Sequence, residues 1–132
     1  MTVRILVVDD EPTVEELLGN FLRKFLEDYE LISASNGEEA IQIIENMRDM
    51  GTYPHLTLMD LKMPIMDGIE STKQLTQRGI KNIYILTAFL EQDLISKAVA
   101  VGAKGIIKKA EGFNANAKKI AEIVRSFGSE VD

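Results

Sequence analysis

Asp9 and Asp10 stand side by side at the end of the apolar run Ile5-Leu6-Val7-Val8, and Asp60 ends a second such run, Leu56-Thr57-Leu58-Met59. A short apolar run bounded by polar residues reads as a buried strand. If both strands share one parallel sheet, the three acids meet at its carboxyl edge, where open α/β sheets bind ligands. Like charges ~4 Å apart repel by roughly 4 kcal/mol at an effective dielectric of ~20. Carboxylates packed that closely need a divalent cation or shared protons. Magnesium is the hard, oxygen-seeking ion suited to them, and the lack of neighbouring histidine or cysteine argues against zinc. A carboxylate beside magnesium can attack phosphorus and form an acyl phosphate. Thr87, ending Ile83-Tyr84-Ile85-Leu86, offers a hydroxyl at the same edge, and Lys109, after Ile106-Ile107, offers a cation for a phosphoryl oxygen.

Taken singly, each of these residues has a plainer explanation. Asp9-Asp10 could cap a helix ahead of Pro12, and Asp60 could open the turn before Met63-Pro64. Thr87 could be an ordinary β-branched strand residue, and Lys108-Lys109 a solvated strand end. Together, at the ends of four strand-like runs, they form a constellation that those explanations do not cover. His55, the lone histidine, follows Pro54 and reads as a surface loop residue rather than a phosphocarrier. Met59, Met63 and Met66 read as packing around the site, and Tyr84 as a strand residue.

The elements that must carry these residues alternate along the chain. Strands are expected over 4–8, 31–34, 56–60, 82–87 and 105–108, separated by segments of helical period. In the first segment Val14, Leu17, Leu18, Phe21, Leu22 and Phe25 follow the i, i+3, i+4, i+7 spacing, with Pro12 near its start. Further helices are expected over 38–50, stopped by Gly51; over 68–77, capped by Asp67 and ended by Gly79; over 91–101, before Gly102; and over 115–127. Five βα units in sequence give an α/β fold, a parallel sheet with helices on both faces. The domain is expected over 1–127, with a polar tail over 128–132.

Composition narrows the partners. Apolar residues make up 45% of 132, charged residues 27%, and the net charge is −6. That acidity makes direct nucleic-acid binding and anionic membrane surfaces unfavourable. There is no cysteine, hence neither a disulfide framework nor a thiolate metal site. No apolar run is long enough for a bilayer span, and nothing at the N-terminus reads as a signal peptide, so a cytoplasmic location is expected.

At these residues the chain resembles the receiver domain of two-component response regulators. The matching stretches are Ile5-Leu6-Val7-Val8-Asp9-Asp10-Glu11-Pro12, Leu58-Met59-Asp60-Leu61-Lys62-Met63-Pro64-Ile65-Met66-Asp67-Gly68, Ile85-Leu86-Thr87-Ala88 and Gly102-Ala103-Lys104-Gly105-Ile106-Ile107-Lys108-Lys109. The resemblance implies a doubly wound five-stranded sheet of order 2-1-3-4-5 with the site at the edge of strands one and three. It implies that Asp60 accepts a phosphoryl group from a sensor histidine kinase or phosphotransfer protein. Asp10 and Asp60 would hold Mg2+ directly, Asp9 through water, and the Lys62 carbonyl would be a further ligand. Thr87 and Lys109 would hold the phosphoryl oxygens and pass the signal to the face of the fourth helix, fifth strand and fifth helix. Ile95, Ile106, Ile123 and Phe127 offer apolar surface there for an unidentified effector or a phosphorylation-dependent dimer, although core packing is the simpler reading for at least half of them. Such a protein is a switch that catalyses its own phosphorylation and dephosphorylation rather than a turnover enzyme.

Three departures from the family pattern stand out. Ala110 follows Lys109 where a cis-proline is common, so a trans loop is expected. Ile106 occupies a switch position that is often aromatic and has no ring to swing, which favours a loop or helix shift. Lys62 and Phe89 flank the path of a hydrolytic water and offer it neither an anionic nor an amide group, so a long-lived acyl phosphate is expected. Two other functions fit the chain less well. A flavodoxin-like nucleotide- or flavin-binding module needs a Gly- or Ser/Thr-rich phosphate loop, whereas Asp9-Asp10-Glu11-Pro12 repels phosphate without a metal. An aspartate-nucleophile phosphatase needs an acid two residues after the nucleophile, where Lys62 stands.

Overall fold

Val3, Ile5 and Val7 turn one way from β1 (Val3–Val8) while Leu6 and Val8 turn the other, and all five are buried. A strand apolar on both sides belongs inside a parallel sheet covered on both faces. The computed structural model, which describes residues 2–128, has that arrangement. After β1 come α1 (Thr13–Leu22), β2 (Tyr29–Ala34), α2 (Gly37–Asp49), β3 (Leu56–Met59), α3 (Gly68–Gln77), β4 (Ile83–Thr87), α4 (Gln92–Ala100), β5 (Gly105–Lys108) and α5 (Phe113–Ser126). The strands are all parallel and lie in the order β2-β1-β3-β4-β5, the order that the resemblance implies. α1 and α5 supply Leu18, Leu22, Ile120 and Val124 to the core on one face. α2, α3 and α4 supply Ala40, Ile44, Leu75 and Ala98 on the other.

The caps follow from the sequence. Asn36 Oδ1 accepts the Glu39 N–H at 2.8 Å to start α2, and Asp67 Oδ1 accepts the Glu70 N–H at 2.9 Å to start α3. Gly51, at φ 74°, follows the end of α2 in the left-handed conformation that suits glycine.

Several expectations are corrected. The spacing through Phe25 outruns α1, which stops at Leu22. Lys24 and Phe25 donate to the carbonyls of Phe21 and Leu22, three residues back, so a tightened turn carries Phe25 onto the same core face. β2 starts at Tyr29 rather than Leu31, because an edge strand extends through half-exposed residues that weaken its apolar pattern. β4 starts at Ile83, since Asn82 has φ 58° and leaves the extended region. α5 starts at Phe113 rather than Ala115, directly after Gly112 at φ 93°. The ends of α2 and α4 move by one residue.

His55 is not a surface residue but only 6% exposed. Its Nδ1 accepts the Arg4 N–H at 2.9 Å, and Asn82 Nδ2 donates to its carbonyl at 3.2 Å. Phe127 is buried in the core beside α1 and α5 and is not available on an outer face; Ile95, Ile106 and Ile123 are half-buried. Of the expected tail 128–132, all but Gly128 lies outside the described residues.

Candidate functional site

Register decides which strand ends meet. Val8 pairs with Met59 across β1 and β3, so the next residues, Asp9 and Asp60, emerge together at the carboxyl edge. Thr87 pairs with Lys108 across β4 and β5, which sets Lys109 one step beyond. The Asp60 N–H donates to the Val8 carbonyl at 3.0 Å, so Asp60 lies just past β3 yet stays tied to β1.

Asp9 and Asp60 are 5% and 3% exposed, and Asp10 faces solvent. One carboxylate oxygen from each lies within 4.8 Å of the others. Lys109, not Lys108, reaches them: its Nζ is 2.6 Å from Asp9 Oδ2 and 3.2 Å from Asp60 Oδ2. The remaining oxygens are held by backbone. Glu11 N–H donates to Asp9 Oδ1 at 2.9 Å, and Leu61 N–H to Asp60 Oδ1 at 2.8 Å. Asp9 therefore closes a turn on its own loop and does not cap α1, which has no side-chain cap.

Electrostatics fit a site with too few positive charges. Burial pushes the Asp9 carboxyl above its usual range, and the Asp60 charge adds to this, against the Lys109 and Glu11 hydrogen bonds. Burial alone would lower the Lys109 ammonium, but its bond to Asp9 and the charges of Asp60 and Asp9 raise it. Lys109 is thus held as a cation among three acids. The donor set is all carboxylate oxygen, with one member open to solvent, and could hold a small hard cation.

Thr87 is fully buried at the end of β4. Its Oγ1 accepts the Phe89 N–H at 3.1 Å, which leaves its own hydrogen free to be donated. Lys62 is exposed, and its ammonium lies 4.4 Å from the Phe89 ring centroid and 3.8 Å from Glu91 Oε1. Among the described residues there is no cis peptide bond, and Lys109–Glu111 form a short 3-10 turn.

Sequence reasoning placed Gly68 at the start of the third helix but missed why a glycine must stand there. A Cβ there would overlap the Asp60 carbonyl oxygen and press on the Leu61 backbone. The glycine lets α3 start against the acid-bearing strand end, fixed by the Gly68 N–H to Leu61 carbonyl bond at 2.8 Å. A glycine, the poorest helix former apart from proline, set directly after the capping Asp67 was the available signal. The Glu91 partner of Lys62 left no sequence signal.

The family model described as "Response regulator receiver domain" matches residues 5–121. Sporulation initiation phosphotransferase F of Bacillus subtilis (strain 168) is 36% identical over 105 residues, covering 78% of this chain and 78% of its own. Transcriptional regulatory protein PdtaR of Mycobacterium tuberculosis is 35% identical over 107 residues, covering 80% of this chain and 49% of its own, so the chain spans about half the length of that relative. A chain of the CheX-CheY-BeF3-Mg2+ complex from Borrelia burgdorferi shares the fold, with a TM-score of 0.77 at 22% identity over 92% of this chain and 89% of that one. With the family pattern spanning nearly the whole fold and its acidic edge, the chain belongs to the response regulator receiver domain family.

Proposed function

We propose that Asp60 is the phosphoacceptor of this receiver, taking a phosphoryl group from the phosphohistidine of a sensor kinase or phosphotransfer protein. One observation carries the reading: a nearly buried Asp60 whose carboxylate is fixed by Leu61 N–H on one oxygen and faces Lys109 with the other, beside Asp9 and Asp10. A carboxylate oxygen of Asp60 forms the new O–P bond in line as the N–P bond breaks. The donor's imidazole leaves with the electron pair and takes up a proton. Lys109 and the free hydrogen of Thr87 serve the transferred oxygens, where electrostatic stabilisation does most of the work.

Asp10 and Asp60 would hold Mg2+ directly, Asp9 through water, with the Lys62 carbonyl as a further ligand; the oxygen-only donor set and its surplus of negative charge support this. When bound, the ion supplies charge neutralisation at the phosphoryl oxygens. The chain thereby promotes its own phosphorylation and dephosphorylation. Output runs through α4, β5 and α5 to an effector protein or a second copy, without direct nucleic-acid or membrane contact, in the cytoplasm. Among the described residues no helix is long and apolar enough to cross a membrane.

Incubation with acetyl phosphate and Mg2+, read by intact mass, tests the proposal. Wild type gains one phosphoryl group, whereas Asp60→Asn gains none and a chelator abolishes the reaction. Labelling of Asp60→Asn at the wild-type level would overturn it.

A further inference from the structure

At the amino end of the sheet, two hydrogen-bond donors face each other with no acceptor between them. His55 is held firmly there. Its N–H donates to the Arg4 carbonyl at 2.8 Å, its Nδ1 accepts the Arg4 N–H at 2.9 Å, and its carbonyl accepts from Asn82 Nδ2 at 3.2 Å. A neutral imidazole carries one hydrogen, and with Nδ1 accepting, that hydrogen sits on Nε2. The group facing Nε2, at 3.5 Å, is Arg4 Nη2, and a guanidinium only donates. The two donors therefore converge without an acceptor among the described residues, although His55 is only 6% exposed. Buried donors are nearly always paired, so this arrangement calls for an oxygen that accepts from both.

The same histidine lines a cavity of about 480 Å³, a volume within the range of small-molecule sites. Tyr53, Pro54 and Phe127 give it apolar walls, and Lys81 and Asn82 line its polar side. The Tyr53 and His55 rings meet edge-on with centroids 5.7 Å apart, and the Arg4 guanidinium lies 5.9 Å from the Tyr53 centroid. Arg4 Nε donates to the Tyr53 carbonyl at 2.8 Å, which ties the guanidinium to two of the lining residues. Asn82 is engaged by the fold, since its Oδ1 accepts from Lys104 Nζ at 2.6 Å. No acid lines the cavity, in a chain whose net charge is −6. The site thus joins an apolar enclosure to a local excess of positive charge.

We propose that this cavity binds a small organic carboxylate with an apolar, ring-bearing body. One carboxylate oxygen accepts from His55 Nε2–H and Arg4 Nη2–H, Lys81 balances the charge on the other, and the ring lies against Tyr53, Pro54 and Phe127. Two donors and one flanking ammonium match a carboxylate better than a phosphate, whose three terminal oxygens need more donors. Hydrogen bonds to an ionised acceptor are roughly twice as strong as neutral ones, so charge selects the ligand. The site stands where β1 and β3 begin, away from the acids, and does not depend on the phosphoacceptor reading.

The test titrates 3-phenylpropionate, its uncharged amide 3-phenylpropionamide, and inorganic phosphate into the full chain. Binding is read by NMR of the backbone amides and of the His55 ring. The carboxylate should shift the His55 Nε2–H and the amides of Tyr53, His55, Lys81 and Asn82 as one saturable set, with 3-phenylpropionamide and phosphate at least about tenfold weaker. Lys81→Glu reverses one exposed charge outside the core and should weaken 3-phenylpropionate about tenfold. His55→Asn, which keeps an acceptor for the Arg4 N–H but lacks the ring Nε2–H, should weaken it similarly. Equal affinity for acid and amide would overturn the inference, as would phosphate binding as tightly as the acid. So would an unaltered affinity in Lys81→Glu, or wild type showing no saturable shift at millimolar 3-phenylpropionate.

Discussion

The Lys62 ammonium rests 4.4 Å from the Phe89 ring centroid and 3.8 Å from Glu91 Oε1. An exposed cation–π contact is worth about 0.5–1 kcal/mol, and an exposed ion pair about as little. The contact therefore does not lock these side chains together. Its importance is chemical, since neither an ammonium nor a phenyl ring can accept a proton from water. The acyl phosphate on Asp60 is accordingly expected to persist. The double variant Lys62→Asn, Phe89→Glu, which adds an amide and a carboxylate, should shorten its half-life several-fold. Decay of the phosphorylated mass in Mg2+ measures this, and an unchanged or longer half-life would count against the role given to these residues.

Among elements, the start of α3 matters most to the site. Gly68 brings the first turn of that helix against the Asp60 carbonyl, and a methyl group there has no room against backbone. Gly68→Ala should destabilise the fold by about 1–3 kcal/mol, the usual range for overpacking. Because the displaced atoms belong to Asp60 and Leu61, the variant should also be phosphorylated more slowly by acetyl phosphate. Denaturant melts together with the labelling rate check both; normal stability with normal labelling would show that α3 can shift freely. The loop after β4 is built differently. Thr87 holds Phe89 N–H through its side-chain oxygen, so a displacement of Thr87 toward a phosphoryl group would pull on Phe89 and hence on Lys62.

For the whole molecule, the edge of the sheet opposite the acids carries a further buried titratable group, His55. Burial lowers the pKa of His55, and the Arg4 charge adds to the shift. Its Nδ1 must stay unprotonated to accept the Arg4 N–H at the start of β1. A histidine whose folded pKa lies below its unfolded value of 6.5 contributes its full stability above that value and loses it as pH falls toward the folded pKa. Thermal melts from neutral pH downward should therefore show wild type losing more stability below about pH 6.5 than His55→Asn, whose side-chain oxygen can still accept the Arg4 N–H. Parallel curves for the two proteins would mean that His55 plays no part in acid sensitivity.

The alternation of strands and helices, the helix caps at Asp67 and after Met50, and the set of acids, hydroxyl and cation at strand ends are all legible in the amino-acid order. These are local properties, fixed by periodicity and by residue chemistry within a few positions. It could not place Phe25 beyond α1, the buried His55 or the buried Phe127, because each is held by partners distant in sequence. Nor could it show that Lys109 bridges Asp9 and Asp60, or that Gly68 leaves room for a backbone. Those features come from packing, since register between parallel strands and the close approach of loops depend on how the whole chain folds together.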